Sequence, residues 1–264
     1  VRSDQEDGII KIELPFLQHQ ALHSWGFLFV GGWVDLGVKN ILARGGIEFL
    51  AVFLGIALSL WVDDYRQEKE LKNRIIDDYK NIYSEVKSNI KIIEKVINEN
   101  NDIILSEGKI LDILNRKVPY KQDNVIKLVT NIYSSTFFGE TSAHRTSVAS
   151  GRFNSSKNDA LTKEISKLYE HYFIRLNKNG AWLDDMSAPG VGLGPDLPFY
   201  DAIYKENDID SERIKKYFFS DKYQDSFLYC RFVRSIYMMR LEETKNQLYK
   251  VKNSLESFLK ISIN

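Results

Sequence analysis

Cysteine, proline and histidine are all scarce in this 264-residue chain, with one, five and four copies. Cys230 has no possible partner within the chain, so no internal disulfide supports the fold. Only Pro119 falls between Pro15 and Ser187, and a stretch so poor in proline, yet rich in Ile, Leu, Lys and Glu, favours helices. Net charge is also absent: 36 basic residues balance 36 acidic ones. A nucleic-acid binder needs a basic field, so nucleic acid is not an expected partner. What is plentiful is apolar surface, with 44% hydrophobic and 12% aromatic residues, and this excludes a disordered chain. The first residue is Val, as in a fragment, a processed chain or a non-Met start.

The strongest signal is Phe49–Val62, FLAVFLGIALSLWV, fourteen residues without a charge. Gly45, Gly46 and Ile47 extend it, and Arg44 and Arg66 bracket about 21 residues, or roughly 32 Å of helix at 1.5 Å per residue. That length suits a transmembrane helix over 44–66, with Trp61 and Tyr65 placed for an aromatic belt. Glu48 falls in the first turn, where the helix dipole and headgroup water tolerate a carboxylate; the alternative is an intramembrane partner or proton site. Ala51, Gly55 and Ser59 recur every fourth residue, a small-residue face that lets a second helix approach closely. Residues 1–43 are read as an interfacial or non-native segment. Leu14–Val38 is apolar but interrupted by His19, His23, Gly31, Gly32 and Asp35, which weakens a second span.

Residues 67–264 read as a helical domain. The membrane helix is expected to continue, because no Gly or Pro occurs between Val62 and Gly108. Ile75, Tyr79, Ile82, Val86, Asn89, Ile93 and Val96 alternate by four and three along one stripe. A separate short helix is expected over Lys109–Leu114, then a turn around Pro119. Val125, Leu128, Val129, Ile132 and Tyr133 share one face, and Ser134–Asn158 reads as a polar loop. Leu161, Ile165, Leu168, Tyr169, Tyr172, Phe173 and Leu176 mark an amphipathic helix, capped by Ser156, Asn158 or Asp159 and stopped at Asn179 and Gly180. Three prolines and three glycines in 187–198 predict a surface loop. Gly190, Gly192 and Gly194 do not make a phosphate loop, since no strand precedes them and no Gly-Lys-Ser or Gly-Lys-Thr follows. The last helix, Asp221–Ile261, keeps a four-three seam through Tyr237, Leu241, Thr244, Leu248, Val251, Leu255 and Phe258. Matching seams predict that the first and last helices pair antiparallel. The fold class is therefore all-α: a transmembrane helix continuing into a long helix, with an antiparallel helical bundle.

Two segments carry a resemblance. IEFLAVFLGIALSLWVDDYRQE resembles the anchor of a group of uncharacterised bacterial single-pass membrane proteins, a family built on a domain of unknown function. The matching positions are Glu48, Gly55, Ile56, the polar pair Asp63 and Asp64, and Tyr65. The common pattern has an Asn pair and Trp there, and its Ala is displaced here to Ala57. SVASGRFNSSKNDALTKEISKLYEHYF is similar to the same group's Ser-Gly turn and Leu-rich helix, through Ser150, Gly151, Phe153, Asn158, Leu161, Ile165, Leu168, Tyr169 and Tyr172. The resemblance implies architecture rather than an activity. It also implies a native start near residues 38–44.

Chemistry is sparse. His19 and His23 are spaced as a metal pair, but no acid joins them at ligand spacing, so no metal site is expected. His171 reads as a structural histidine, and Cys230 as a buried one with no base at hand. Asp63–Asp64, Asp77–Asp78 and Asp184–Asp185 are helix neighbours about 100 degrees apart, which solvate helix faces and form no dyad. Arg145 and Arg152 flank Ser150 and Gly151 in a Ser/Thr-rich loop that either holds an anion through Arg forks or is a turn whose hydroxyls satisfy backbone groups, the second being favoured. No catalytic residue and no cofactor is expected. The expected function is a membrane-anchored scaffold or interaction module, with membrane lipid and a second copy or another membrane protein as partners. The alternative is a tethered sensor or ligand-binding domain using loops 134–158 and 187–200. Arg66, Lys69, Lys72 and Arg74 follow the span, and Lys/Arg counting alone puts the domain inside. The resemblance to short-tailed bacterial anchors implies an exported domain, which is the orientation expected in a bacterial cell membrane.

Overall fold

The computed structural model describes residues 39–194, 197–204 and 210–263. The expectations for residues 1–38, including the His19–His23 pair, lie outside the described residues. The chain divides into two units, Val1–Ser59 and Leu60–Asn264. Among the described residues every regular element is helical. Helix α1 spans Lys39–Leu114, and its first residues are all that is described of the first unit. The second unit holds the rest of α1 and then α2 (Gln122–Thr130), α3 (Ser142–Ala149), a 3₁₀ turn (Phe153–Ser156) and α4 (Asp159–Ser166). A π-helical stretch (Lys167–Phe173) leads into α5 (Ile174–Gly190), followed by α6 (Pro198–Tyr204), α7 (Ser211–Phe218) and α8 (Asp221–Ile263).

Within the second unit α1 and α8 run antiparallel, as their seams require. Tyr83 donates to Glu256 at 2.6 Å, Glu94 accepts from Tyr249 at 2.6 Å, and Glu107 accepts from Arg234 at 2.9 Å. Partners on α8 fall in number as those on α1 rise. Every α1 stripe residue from Ile75 to Val96 is buried, Asn89 included, and so is every α8 seam residue from Tyr237 to Leu255. Each such Ile, Leu or Val contributes about 1.5–3 kcal/mol relative to exposure. Asn89 fits an apolar seam because Nδ2 donates to the Glu140 carbonyl at 2.8 Å and Oδ1 accepts the Glu140 amide at 2.7 Å.

The core has two clusters. One centres on Tyr79, Ile93, Phe173, Tyr237 and Leu248, and the other on Ile110, Val129, Phe199, Phe218 and Phe227. A polar layer marks the boundary on four strands of chain. Asn100 lies between Ile97 and Ile103, Ser135 between Ile132 and Phe137, Ser187 between Leu183 and Val191, and Arg234 between Phe227 and Tyr237. Arg234 joins three of these strands. It donates to Glu107, to Asn100 Oδ1 at 2.8 Å and to the Tyr133 carbonyl at 3.2 Å, while Asn100 Nδ2 donates to the Ser135 carbonyl at 2.8 Å.

Several sequence expectations are corrected. Gly108 does not interrupt α1, which runs through to Leu114; one helical glycine costs only about 1 kcal/mol against Ala, less than the packing of Ile103, Ile110 and Ile113 returns. Helix α2 ends at Thr130, so Ile132 is buried from the following chain and Tyr133 is exposed. The 134–158 stretch is not all loop, since α3 forms within it. Asn179 and Gly180 do not stop the helix: Gly180 is buried against Thr136 and Tyr237 in mid-α5. The predicted loop at 187–198 begins late, because α5 continues through Pro189 and closes at Gly192. Gly192, at φ +82°, donates to the Pro189 carbonyl at 3.1 Å, and Leu193 donates to the Ala188 carbonyl at 2.9 Å. This paired closure satisfies the last carbonyls of α5 and needs a left-handed residue at its centre. Of the three proposed caps for α4, Asn158 serves, accepting the Leu161 amide at 3.2 Å.

Candidate functional site

From Ile47 to Val62 every residue is exposed, and none of the apolar 18-residue window is buried in the chain's own structure. Glu48, Ala51, Gly55, Ser59, Trp61 and Tyr65 all lie on exposed helix, with Trp61 and Tyr65 ring centroids 6.3 Å apart. A Cβ on Gly55 would meet nothing within 4 Å, so the small-residue face is open.

The Ser/Thr-rich loop resolves into the C-terminal turn of α3. Gly151 adopts φ +73° there and donates to the Val148 carbonyl at 3.0 Å, and the Ser150 hydroxyl donates to the Ser147 carbonyl at 2.9 Å. Arg152 points its fork at Asp78 on α1, at 2.8 Å from Nε and 3.0 Å from Nη2, and Ser147 donates to the same carboxylate at 3.0 Å. This hydrogen bonding holds the Arg152 guanidinium above its ordinary range. The loop therefore uses its fork internally, and the turn reading describes it. Asp78, expected only to solvate a helix face, is the partner. Arg145 is exposed.

At the other end of α3, Glu85 of α1 does the capping. Its carboxylate accepts the Ala143 amide at 2.6 Å, the His144 amide at 3.4 Å and the Tyr169 hydroxyl at 2.7 Å. Thr141, the residue at the cap position, contributes no side-chain bond. His144 stacks on Tyr169 with centroids 4.2 Å apart, and burial pushes its imidazole below its ordinary range. His171, by contrast, is exposed.

A groove of about 630 Å³ opens in the second unit beside Tyr65–Ile76 of α1. Leu71, Ile75, Ile76 and Phe258 supply apolar walls, while Tyr65, Glu68, Lys69 and Lys72 line it from α1, and Ser155, Ser156 and Lys157 close it from the 3₁₀ turn. Tyr83 pairs with Glu256, and α8 extends only seven residues beyond that, to Ile263. Positions 65, 68 and 72 continue the four-three stripe with no described helix facing them. Sequence reasoning missed this groove. Lys69 and Lys72 were visible only as flanking charges, and nothing local announces that the 155–157 turn folds back onto them. Among the described residues no group of His, Cys, Asp and Glu is placed to hold a metal.

Among the described residues, fold and exposed run together define an all-helical protein with one helix long and apolar enough to cross a membrane. The chain belongs to a family of unknown function, DUF6090, whose pattern matches residues 48–190. No curated protein and no solved structure matches the chain.

Proposed function

We propose that this chain is a membrane-anchored, non-enzymatic scaffold or interaction module that associates with a second copy of itself. The observation that carries the reading is the uncovered apolar run. Leaving Phe49, Phe53, Leu54 and Leu58 each more than half exposed to water costs about 25 cal/mol per Å² relative to burial, and lipid removes that cost. Self-association is supported by the open Ala51–Gly55–Ser59 face and by Leu228, Tyr229, Phe232 and Met239, which leave about half their surface exposed on α8. The buried charges support a structural role for the domain, since Glu85, Glu107 and Arg234 each spend their hydrogen bonds on neighbouring elements. The proposed setting is a bacterial cell membrane with the domain on the exported side.

Lysed cells spun at high speed without detergent test the anchor: the chain is expected in the pellet, and recovery in the supernatant refutes it. Crosslinking in native membranes is expected to give a dimer band, and monomer alone refutes self-association. A reporter fused after Asn264 reads the side.

The groove favours a second reading, a tethered ligand-binding domain. It is open to solvent on one side rather than closed, and it takes in Ser155, Ser156 and Lys157 from the 134–158 stretch.

A further inference from the structure

We infer that the groove beside Tyr65–Ile76 binds the headgroup of an anionic membrane phospholipid. The inference rests on the anchored reading and names the ligand for the groove. Three features converge on this chemistry.

The first is charge. Lys69, Lys72 and Lys157 reach the groove against one carboxylate, Glu68, and none of the three lysines takes part in a described salt bridge. Some lysines elsewhere on the domain are spent on acids, as in Lys80–Asp77 and Lys250–Glu164; what sets the three groove lysines apart is that they converge on one groove. The Ser155 and Ser156 hydroxyls are spent within the turn, Ser155 donating to the Gly151 carbonyl and Ser156 accepting from Tyr79, so the donors offered to a phosphodiester are the three ammonium groups.

The second is the amphipathic wall. A free anion gains nothing from Leu71, Ile76 and Phe258, whereas the glycerol and first methylenes of a lipid bury those side chains. The groove holds about 630 Å³, room for a headgroup and its backbone while the tails remain outside.

The third is depth. Tyr65 comes three residues after Val62, the end of the apolar run. At 1.5 Å per residue Tyr65, Lys69 and Lys72 stand roughly 4.5, 10 and 15 Å beyond it. The headgroup layer is about 5–8 Å thick on each side of the hydrocarbon, and lysine stems reach back toward it. Charged lipid is then the ligand present at highest local concentration.

The test uses the full chain in mild non-ionic detergent, with phosphatidylglycerol or phosphatidylcholine added and bound lipid counted by native mass spectrometry. Wild type is expected to retain phosphatidylglycerol about 10- to 100-fold more than phosphatidylcholine. The triple variant Lys69→Gln, Lys72→Gln, Lys157→Gln is expected to lose that preference, and a control with Lys87→Gln, Lys91→Gln, Lys95→Gln to keep it. Circular dichroism verifies that both variants are helical. Equal retention of the two lipids by wild type overturns the inference and leaves the anchor standing, as does undiminished preference in the groove variant. A chain that stays soluble without detergent overturns both.

Discussion

Arg234 on α8 donates Nε–H to Glu107 on α1 at 2.9 Å, and neither side chain is more than 2% exposed. Burial pushes the Glu107 carboxyl up from its ordinary range, while Arg234 and Arg231 pull it back. Removing one partner strands the other charge. Arg234→Leu is expected to cost about 3–5 kcal/mol. Arg234→Leu with Glu107→Leu is expected to recover part of that loss, since the buried pair is replaced by apolar side chains while the partly exposed Arg231, 3.7 Å from Glu107, loses its acid. Urea unfolding of the two variants in detergent checks both expectations.

Burial of His144 is expected to make the stability of the domain depend on pH. Burial lowers its pKa below 6.5, so the unfolded chain takes up a proton where the folded chain does not. Stability is complete above about pH 6.5 and falls as the pH drops through that value. Glu164 and Glu256, held below 4.5 by their partners, titrate in a lower window. His144→Phe keeps a ring on Tyr169 and is expected to flatten the slope of melting temperature between pH 6.5 and 5. An unchanged slope in that variant would exclude His144 as its source.

Gly190 is expected to resist even alanine. A Cβ there would overlap the Cβ of Cys230 and lie 3.3 Å from the Ser226 carbonyl, where α5 crosses α8. Gly190→Ala should cost about 1–3 kcal/mol by overpacking. The paired change Gly190→Ala with Cys230→Gly should restore part of it, and thermal melts read the difference.

Arg116 offers the opposite case. It closes α1 at φ +59°, donating to the Ile113 carbonyl at 3.0 Å while Lys117 donates to the Asp112 carbonyl at 2.9 Å. A side chain in left-handed geometry costs about 1 kcal/mol that glycine avoids. Arg116→Gly is therefore expected to raise stability by about that amount, measured as a higher urea midpoint with an unchanged slope.

The long elements were legible because periodicity is a local signal. The Ile75–Val96 stripe and the Tyr237–Leu255 seam are buried as their spacing predicts, and the antiparallel pairing follows from their similarity. The misreadings occur where tertiary packing overrides local propensity. Pro189 and Gly190 signal a loop, yet Gly190 is the residue that lets α5 approach Cys230, and helix persists to it. Helix α3 has a weak apolar pattern and no cap of its own, and Glu85, distant in sequence, supplies the missing acceptor. The candidate loop at Ser150–Arg152 was readable as a turn, but Asp78 as the fork's partner was not.

The apolar run of 49–62, the helical class and the two seams were determined by the residues alone, since each depends on neighbours three or four apart on one helix. Which charges are buried, which turn folds over the unpaired end of the α1 stripe, and hence where a groove opens, were decided only in the assembled domain. Those features depend on side chains separated by scores of residues, as Arg152 is from Asp78 and Lys157 from Lys72, and no local pattern encodes such meetings.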